Sequence, residues 1–345
     1  MSVVAETPGK RGFRLPPEWA PHDRCWMAWP CRTALWGEGL SAATDAFAAV
    51  ARAIVRFEPV TMVAPPDRAA EARGCCGPDV TVEVLPLDDS WMRDIGPTFL
   101  CNDEGGIAGV AWRFNAWGEK YPAYTEDAAL AGRLLDRLSV ERYDAPCVLE
   151  GGAIHGDGEG TLIVTESVLL NPNRGGPDTR AEMEAVLADW LGIRKVIWLP
   201  AGLTEDETDG HVDNVACFTG PGAVLALVAP SSDDPNYEVL QRNLAVLEAE
   251  TDASGRRLTV TTIEQPTLRD DTGQPLAASY INFYVANGGI VMPKFSIDHD
   301  DTAAAAVQAA FPGRALVQVD ARAIVRGGGG IHCITQQQPA VSCAK

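Results

Sequence analysis

The sequence predicts a single α/β domain, and two observations carry that expectation. Segments with helical periodicity alternate with short β-rich runs along the whole chain, and no Pro/Gly/Ser-rich linker divides it. Five polar clusters, at Asp94, Glu150, His211, Asn282 and Cys333, follow one another at intervals of 56, 61, 71 and 51 residues. That is too loose for a sequence repeat. It is the spacing of a ring of about five similar supersecondary units, each presenting a strand end to one centre. The pattern leaves a plain doubly wound sheet open as the alternative.

Taken in order, residues 1–14 have no apolar core and read as a short mobile tail rather than a secretory signal. Residues 15–345 are expected to form the single domain. The first helix is expected over 41–57, which is Ala-rich with apolar residues at helical spacing and has Ser41 as a candidate cap. The next, 125–138, carries Ala128, Leu130, Leu134, Leu135 and Leu138. A third, 179–191, places Met183, Val186, Leu187 and Trp190 on one face, and 237–250 and 301–310 are similar. Strands are expected at 60–63, 80–85, 109–114, 161–164, 196–198, 223–227, 258–263, 281–285 and 316–319.

Composition narrows the function. The chain has 345 residues, 46% hydrophobic and 22% charged, which is ordinary for a globular protein. A formal net charge of -19 argues against nucleic-acid binding, because neutralising phosphates needs a basic surface. The acidity serves solubility or draws in a small cation. There is no apolar run of the ~18 residues a membrane span needs. Nine cysteines is an odd number, and Cys25, Cys101, Cys147 and Cys217 lie in apolar stretches. This fits reduced, mostly buried thiols in a cytoplasmic protein. The vicinal Cys75-Cys76 pair is expected in an exposed loop.

The candidate chemistry centres on Gly327-Gly328-Gly329-Gly330-Ile331-His332-Cys333. The glycine run lets the backbone approach a ligand closely and holds the following thiol at a fixed point. Asp88 to Pro97 packs three acids, Arg93 and Trp91 into ten positions. It is either an exposed acidic loop or a cation pocket, with Trp91 offering a π face and Asp94 a carboxylate. Glu150 precedes two glycines at a strand end, as a site residue or a turn residue. His155 and Asp157 read as surface loop polarity. If Val212 points into the core from a strand, His211 and Asp213 share the other face, as an acid/base pair or as metal ligands. A thiolate at Cys333 is disfavoured among so many acids, so it needs a local cation: an imidazolium, or the substrate itself. A guanidinium meets that need, with an electrophilic carbon and a permanent charge suited to carboxylates. Peptide cleavage fits less well, because nearby acids oppose a developing oxyanion.

Six segments, in order, resemble the agmatine deiminase family of the guanidine-modifying (pentein) superfamily. They are Trp29-Pro30; Asp89 to Pro97; Glu150-Gly151-Gly152; Glu207 to Asn214; Tyr280 to Phe283 with Ala286-Asn287-Gly288; and Gly328 to Gln337. The resemblance implies a five-fold pseudo-symmetric α/β propeller of ββαβ-type units around a central site. It implies hydrolysis of agmatine to N-carbamoylputrescine and ammonia through a Cys-thiouronium, in putrescine metabolism, with no metal or organic cofactor. Cys333 is then the nucleophile, His211 the general acid/base, Asp94 and Asp213 the guanidinium ligands, and Glu150 the residue that orients guanidinium and histidine. Trp91 packs on the methylene chain, Glu207 and its acidic neighbours offer a partner for the distal ammonium, and Asn282 buttresses the site. Gly330, where many members carry Asn or Ser, belongs to the turn that brings the substrate carbon to the sulfur. A peptidylarginine or arginine deiminase is the nearest alternative, disfavoured because no Arg pair in these segments offers to hold a carboxylate. A polyamine-binding protein, or a metal-binding one using His211, Asp213 and His332, is the non-catalytic alternative. The sequence leaves a homo-oligomer open.

Overall fold

The computed structural model describes residues 6–341. Its sixteen strands form five small sheets. The first holds β1 (His22–Ala28), β2 (Val60–Ala64) and β3 (Val80–Val84); the second β4 (Thr98–Cys101), β5 (Ile107–Arg113) and β6 (Glu141–Val148). The third is β7 (Ile154–Gly156), β8 (Thr161–Thr165) and β9 (Lys195–Leu199). The fourth is β10 (Ala216–Gly220), β11 (Ala223–Val228) and β12 (Thr259–Glu264). The fifth is β13 (Tyr284–Ala286), β14 (Gly289–Lys294) and β15 (Ala315–Asp320). The last strand, β16 (Thr335–Pro339), returns to the first sheet.

One grammar governs all five. An antiparallel pair (β4–β5, β7–β8, β10–β11, β13–β14) is followed by a parallel strand (β6, β9, β12, β15). A parallel neighbour cannot be reached by a tight turn, so a helix crosses over each time: Thr125–Leu138, Arg180–Leu191, Tyr237–Ala249 and Asp300–Ala310. In the first unit the antiparallel partner comes from the far end of the chain. β16 pairs with β1 from His22↔Pro339 to Met27↔Thr335, and Leu40–Ile54 crosses from β1 to β2. The protein is the five-fold α/β propeller, not a doubly wound sheet.

Central strands β2 and β8 are buried along their full length, as expected of short strands covered on both faces. Leu40–Ile54 buries Ala43, Phe47, Val50 and Ile54 against this core. Truncating Phe47, which has no exposed surface, to alanine costs about 3–5 kcal/mol.

Several expectations are corrected. Residues 1–5 of the expected tail lie outside the described residues. Residues 6–14 dock on the body, with Phe13 4% exposed and Arg14 bridged to Cys101. Ser41 does not cap its helix, which starts after Gly39 without a side-chain cap; its carbonyl instead accepts from the Thr44 hydroxyl. Cys75 and Cys76 end a helix, Ala69–Cys76, with Cys76 buried. Cys101 is disulfide-bonded, outside the reduced set that includes Cys25, Cys147 and Cys217. Among the described residues no helix is long and apolar enough to cross a membrane.

Candidate active site

The grammar of the fold builds the site. Each unit's first strand is entered through a short irregular segment, and each segment carries one polar cluster. Asp94 precedes β4, Glu150 precedes β7, His211 and Asp213 precede β10, Asn282 precedes β13, and Cys333 precedes β16. Five-fold repetition aims these segments at one axis.

Local hydrogen bonds fix each side chain. Asp94 lies in the helical turn Met92–Ile95, which is docked on the Cys333 segment because the Arg93 N–H donates to the Cys333 carbonyl at 3.0 Å. The Asp94 carboxylate accepts from the Gly152 N–H and from Trp117 Nε1, both at 2.9 Å. The segment before β10 is a single 3-10 turn, Val212–Asn214, and not the expected strand. Buried Asp206 locks it, accepting from the Thr208 N–H and from Asn214 Nδ2, while Thr208 Oγ1 accepts from the His211 N–H. His211 and Asp213 still face the same centre. His211 Nδ1 is 3.9 Å from Asp94 and its Nε2 is 4.0 Å from Glu150. Glu150 is oriented by Arg174, whose Nε donates to it at 2.8 Å. Cys333 Sγ lies 3.2 Å from Asn282 Nδ2 and 3.4 Å from Asp213 Oδ2.

Missing Cβ atoms make this crowding feasible. A Cβ on Gly152 would stand 2.5 Å from His211 Nδ1, 3.0 Å from Asp213 and 3.1 Å from Asp94. The Glu-Gly-Gly motif therefore keeps the centre of the carboxylate cluster open. Gly330 is a different case from the expectation. Its Cβ would fall 2.3 Å from Asn282 Oδ1, so it seats Asn282 and does not line the cavity beside Cys333.

That cavity runs between Trp91, Asp94, Trp117, Tyr121, Glu207 and the 327–329 glycines, and Cys333 opens onto it. Asp94 and Cys333 are each 8% exposed at its buried end, whereas Glu207 is exposed and takes a hydrogen bond from the Tyr121 hydroxyl. Trp91 stacks on Trp36 and lines the wall. No Arg or Lys stands among these lining residues. Two buried polar atoms of the site, His211 Nε2 and Asp213 Oδ1, have no hydrogen-bond partner among the described residues.

Electrostatics follows from burial and proximity. Burial pushes the Cys333 thiol well above its ordinary value, and the charges of Asp213 and Asp94 push the same way. Burial also raises the Asp94 carboxyl; His211 opposes this, and Glu150 and Asp213 add to it. Asp213 is also buried, yet it sits below the ordinary carboxylate range because the hydrogen bond and charge of His332 prevail. A cation placed among these carboxylates relieves both their repulsion and the penalty on a thiolate.

Not every expected acid contributes. Of the acidic run, Glu205 binds Asn236 and Asp206 serves the turn, leaving Glu207 on the cavity. His155 and Asp157, expected on the surface, are buried: His155 Nδ1 accepts from the Phe218 N–H, and Asp157 closes a turn on Glu159 and Thr161. Trp117, Tyr121, Arg174 and Glu18 escaped the sequence reading. They sit in segments of no distinctive composition, and only Arg174 has a motif-like neighbourhood, Asn171-Pro172-Asn173. Among the described residues no group of three His, Cys, Asp or Glu side chains could hold a metal ion.

Residues 14–339 match the Porphyromonas-type peptidyl-arginine deiminase family. An agmatine deiminase of Stutzerimonas stutzeri is 45% identical, with 99% of each chain covered. One of Pseudomonas aeruginosa is 46% identical with the same coverage. The solved agmatine deiminase of Enterococcus faecalis superposes with a TM-score of 0.94 at 36% identity, covering 98% of this chain and 99% of its own.

Proposed function

The chain belongs to the Porphyromonas-type peptidyl-arginine deiminase family, and we propose that its reaction is the hydrolysis of agmatine to N-carbamoylputrescine and ammonia. The observation that carries this choice of substrate is the cavity lining. Its charged groups are Asp94 at the buried end and Glu207 at the exposed end, with no Arg or Lys among the lining residues. A guanidinium at one end and an ammonium at the other match that pair of charges. The α-carboxylate of arginine would meet Glu207, and the cation beside it, Lys120, is already engaged by the Glu207 carbonyl and by Asp209.

In this reading, Asp94 and Asp213 hold the guanidinium nitrogens and set its carbon over Cys333 Sγ. The bound cation offsets the carboxylate charges that keep the thiol protonated. Sulfur attacks the guanidinium carbon, and the thiol proton reaches the departing nitrogen by way of His211, so ammonia leaves and a thiouronium remains. His211 then takes a proton from water, whose oxygen attacks the same carbon; the C–S bond breaks and the ureido product departs. Two displacements replace one difficult one. Glu150, held by Arg174, orients the guanidinium and His211. Trp91 covers the methylene chain, and Asn282 positions the sulfur. The reaction needs no metal or organic cofactor, so turnover is expected to survive exhaustive chelation. We take residues 15–345 as one catalytic domain acting in the cytoplasm in putrescine metabolism.

The test compares initial rates on agmatine, free arginine and an arginine-ended peptide at equal concentration. Agmatine is expected to dominate, and Cys333→Ala is expected to end ureido formation while agmatine still binds. Arginine turned over as fast as agmatine would sink the substrate assignment.

A further inference from the structure

Next to Cys333 lies a buried ionic cluster of which the proposed reaction uses Asp213 alone; His332 and Glu18 do not line the cavity. His332 is 3% exposed and both its ring nitrogens face carboxylates: Nδ1 stands 2.9 Å from Asp213 Oδ2, and Nε2 stands 2.8 Å from Glu18 Oε1. A neutral imidazole has one N–H and satisfies one of these contacts. The other nitrogen would then set a lone pair against a carboxylate oxygen. Two short contacts to two carboxylates call for two N–H donors.

We propose that His332 is carried as an imidazolium clamped between Glu18 and Asp213, and is the positioning residue that keeps Asp213 ionised beside Cys333.

The surroundings agree group by group. Asp213 uses one oxygen on His332 and Cys333 and leaves Oδ1 unpartnered, so a fixed negative charge is available to a substrate N–H. Without a counter-charge, burial and its carboxylate neighbours would drive Asp213 to take up a proton, as they drive Asp94 upward. Glu18 supplies the opposite end of the clamp. Burial opposes its ionisation, but the facing His332, His155 and Arg93 hold it well below the ordinary carboxylate range. His155 accepts from the Phe218 N–H at Nδ1, and its Nε2 faces Glu18 at 3.5 Å. Arg93 lies 3.5 Å from Glu18 and donates to the His332 carbonyl at 3.3 Å, and its charge works against a second cation on His332. Burial is the largest effect opposing the imidazolium and Arg93 adds to it, but the two carboxylates together outweigh both, and His332 rises above its ordinary value. Across Asp213 stand His211 and Asp94, and the buried Cys217 and Cys333 thiols nearby are both pushed well above their ordinary values.

The inference rests on the deiminase reading in its kinetic arm only. In protein labelled with ¹⁵N-histidine, each of the five histidines reports protonation of its ring nitrogens. The His332 imidazolium, assigned by the signal that vanishes in His332→Gln, is expected to persist at about pH 8, well above the ordinary histidine value of about 6.5. In Glu18→Gln it is expected to become neutral at that pH. In the kinetic arm, kcat/KM of Glu18→Gln is expected to fall most at acid pH, where Asp213 without its clamp takes up a proton, by about tenfold for each unit that Asp213 is raised, and the loss shrinks as pH rises. An imidazole neutral at about pH 8 in the unmodified chain, or an equal loss at every pH in Glu18→Gln, would overturn the proposal. Absence of agmatine turnover in the unmodified chain would refute the deiminase reading and leave the labelling result to decide the clamp.

Discussion

Trp117→Phe isolates one hydrogen bond of the site. An aromatic ring remains where Trp117 stands edge-on to Phe114 at 5.1 Å and to Tyr121 at 5.8 Å, while the indole N–H is lost along with part of the bicyclic ring. That N–H donates to Asp94 Oδ2 at 2.9 Å, and the carboxylate keeps the Gly152 N–H on its other oxygen. A buried hydrogen bond to a charged acceptor is worth about 1.5–3 kcal/mol. Its loss therefore weakens agmatine binding about 10- to 150-fold, read as a rise in KM. The pH dependence has a definite sign. Asp94 is already raised, by burial first and by Glu150 and Asp213 after it. In the proposed reaction it holds the guanidinium only when ionised, so binding is expected to be lost as pH falls through its value. Removing a donor raises that value further, and the acid limb of kcat/KM moves to higher pH. The assay is a steady-state profile on agmatine across the acid and neutral range for both proteins. A KM unchanged across that range, or raised equally at every pH, refutes the reasoning.

Other outcomes follow from the same geometry. Glu207→Gln removes an exposed charge that water screens, so the expected rise in KM for agmatine is about two- to fivefold, with kcat little changed; an unchanged KM means that Glu207 does not meet the ammonium. Gly152→Ala places a Cβ 2.5 Å from His211 Nδ1. A displacement on that scale is expected to cost about 100-fold in kcat while thermal unfolding stays cooperative, and near-parental kcat would show that His211 tolerates the shift.

The sequence carried the five long helices and most of the parallel strands to within a few residues, because both are written in apolar periodicity, but not the helix Ala69–Cys76 or β1, β6 and β14, which also pair in parallel. Thr125–Leu138 matches its expected bounds, and Arg180–Leu191 starts after Thr179, whose hydroxyl caps it. The antiparallel members were harder to read. β16 is Thr335-Gln336-Gln337-Gln338-Pro339, buried throughout yet without an apolar residue pattern, and β7 is three residues long. Their burial comes from their place near the axis. The candidate site was legible wherever a residue stood inside a motif: Asp94, Glu150, His211, Asp213, Asn282 and Cys333 all converge. What sequence could not show was contact between motifs. Glu18 meets His332 across 314 positions, and Trp117 reaches Asp94 from a loop of positive φ at Ala116, Trp117 and Gly118. Backbone conformations of that kind leave no mark on composition when the residues are not glycine.

The pairing of β1 with β16 gives the site a place in time as well as in space. Four units find their antiparallel partner within a few residues, whereas His22 must meet Pro339. Loop closure over so long a span costs more chain entropy than any of the local hairpins, and such non-local pairings are slow to form. Cys333 and Glu18 flank the two strands of this one clasp. Cys333 therefore reaches its acidic partners only when the ring shuts, and an open chain carries an ordinary, unpositioned thiol.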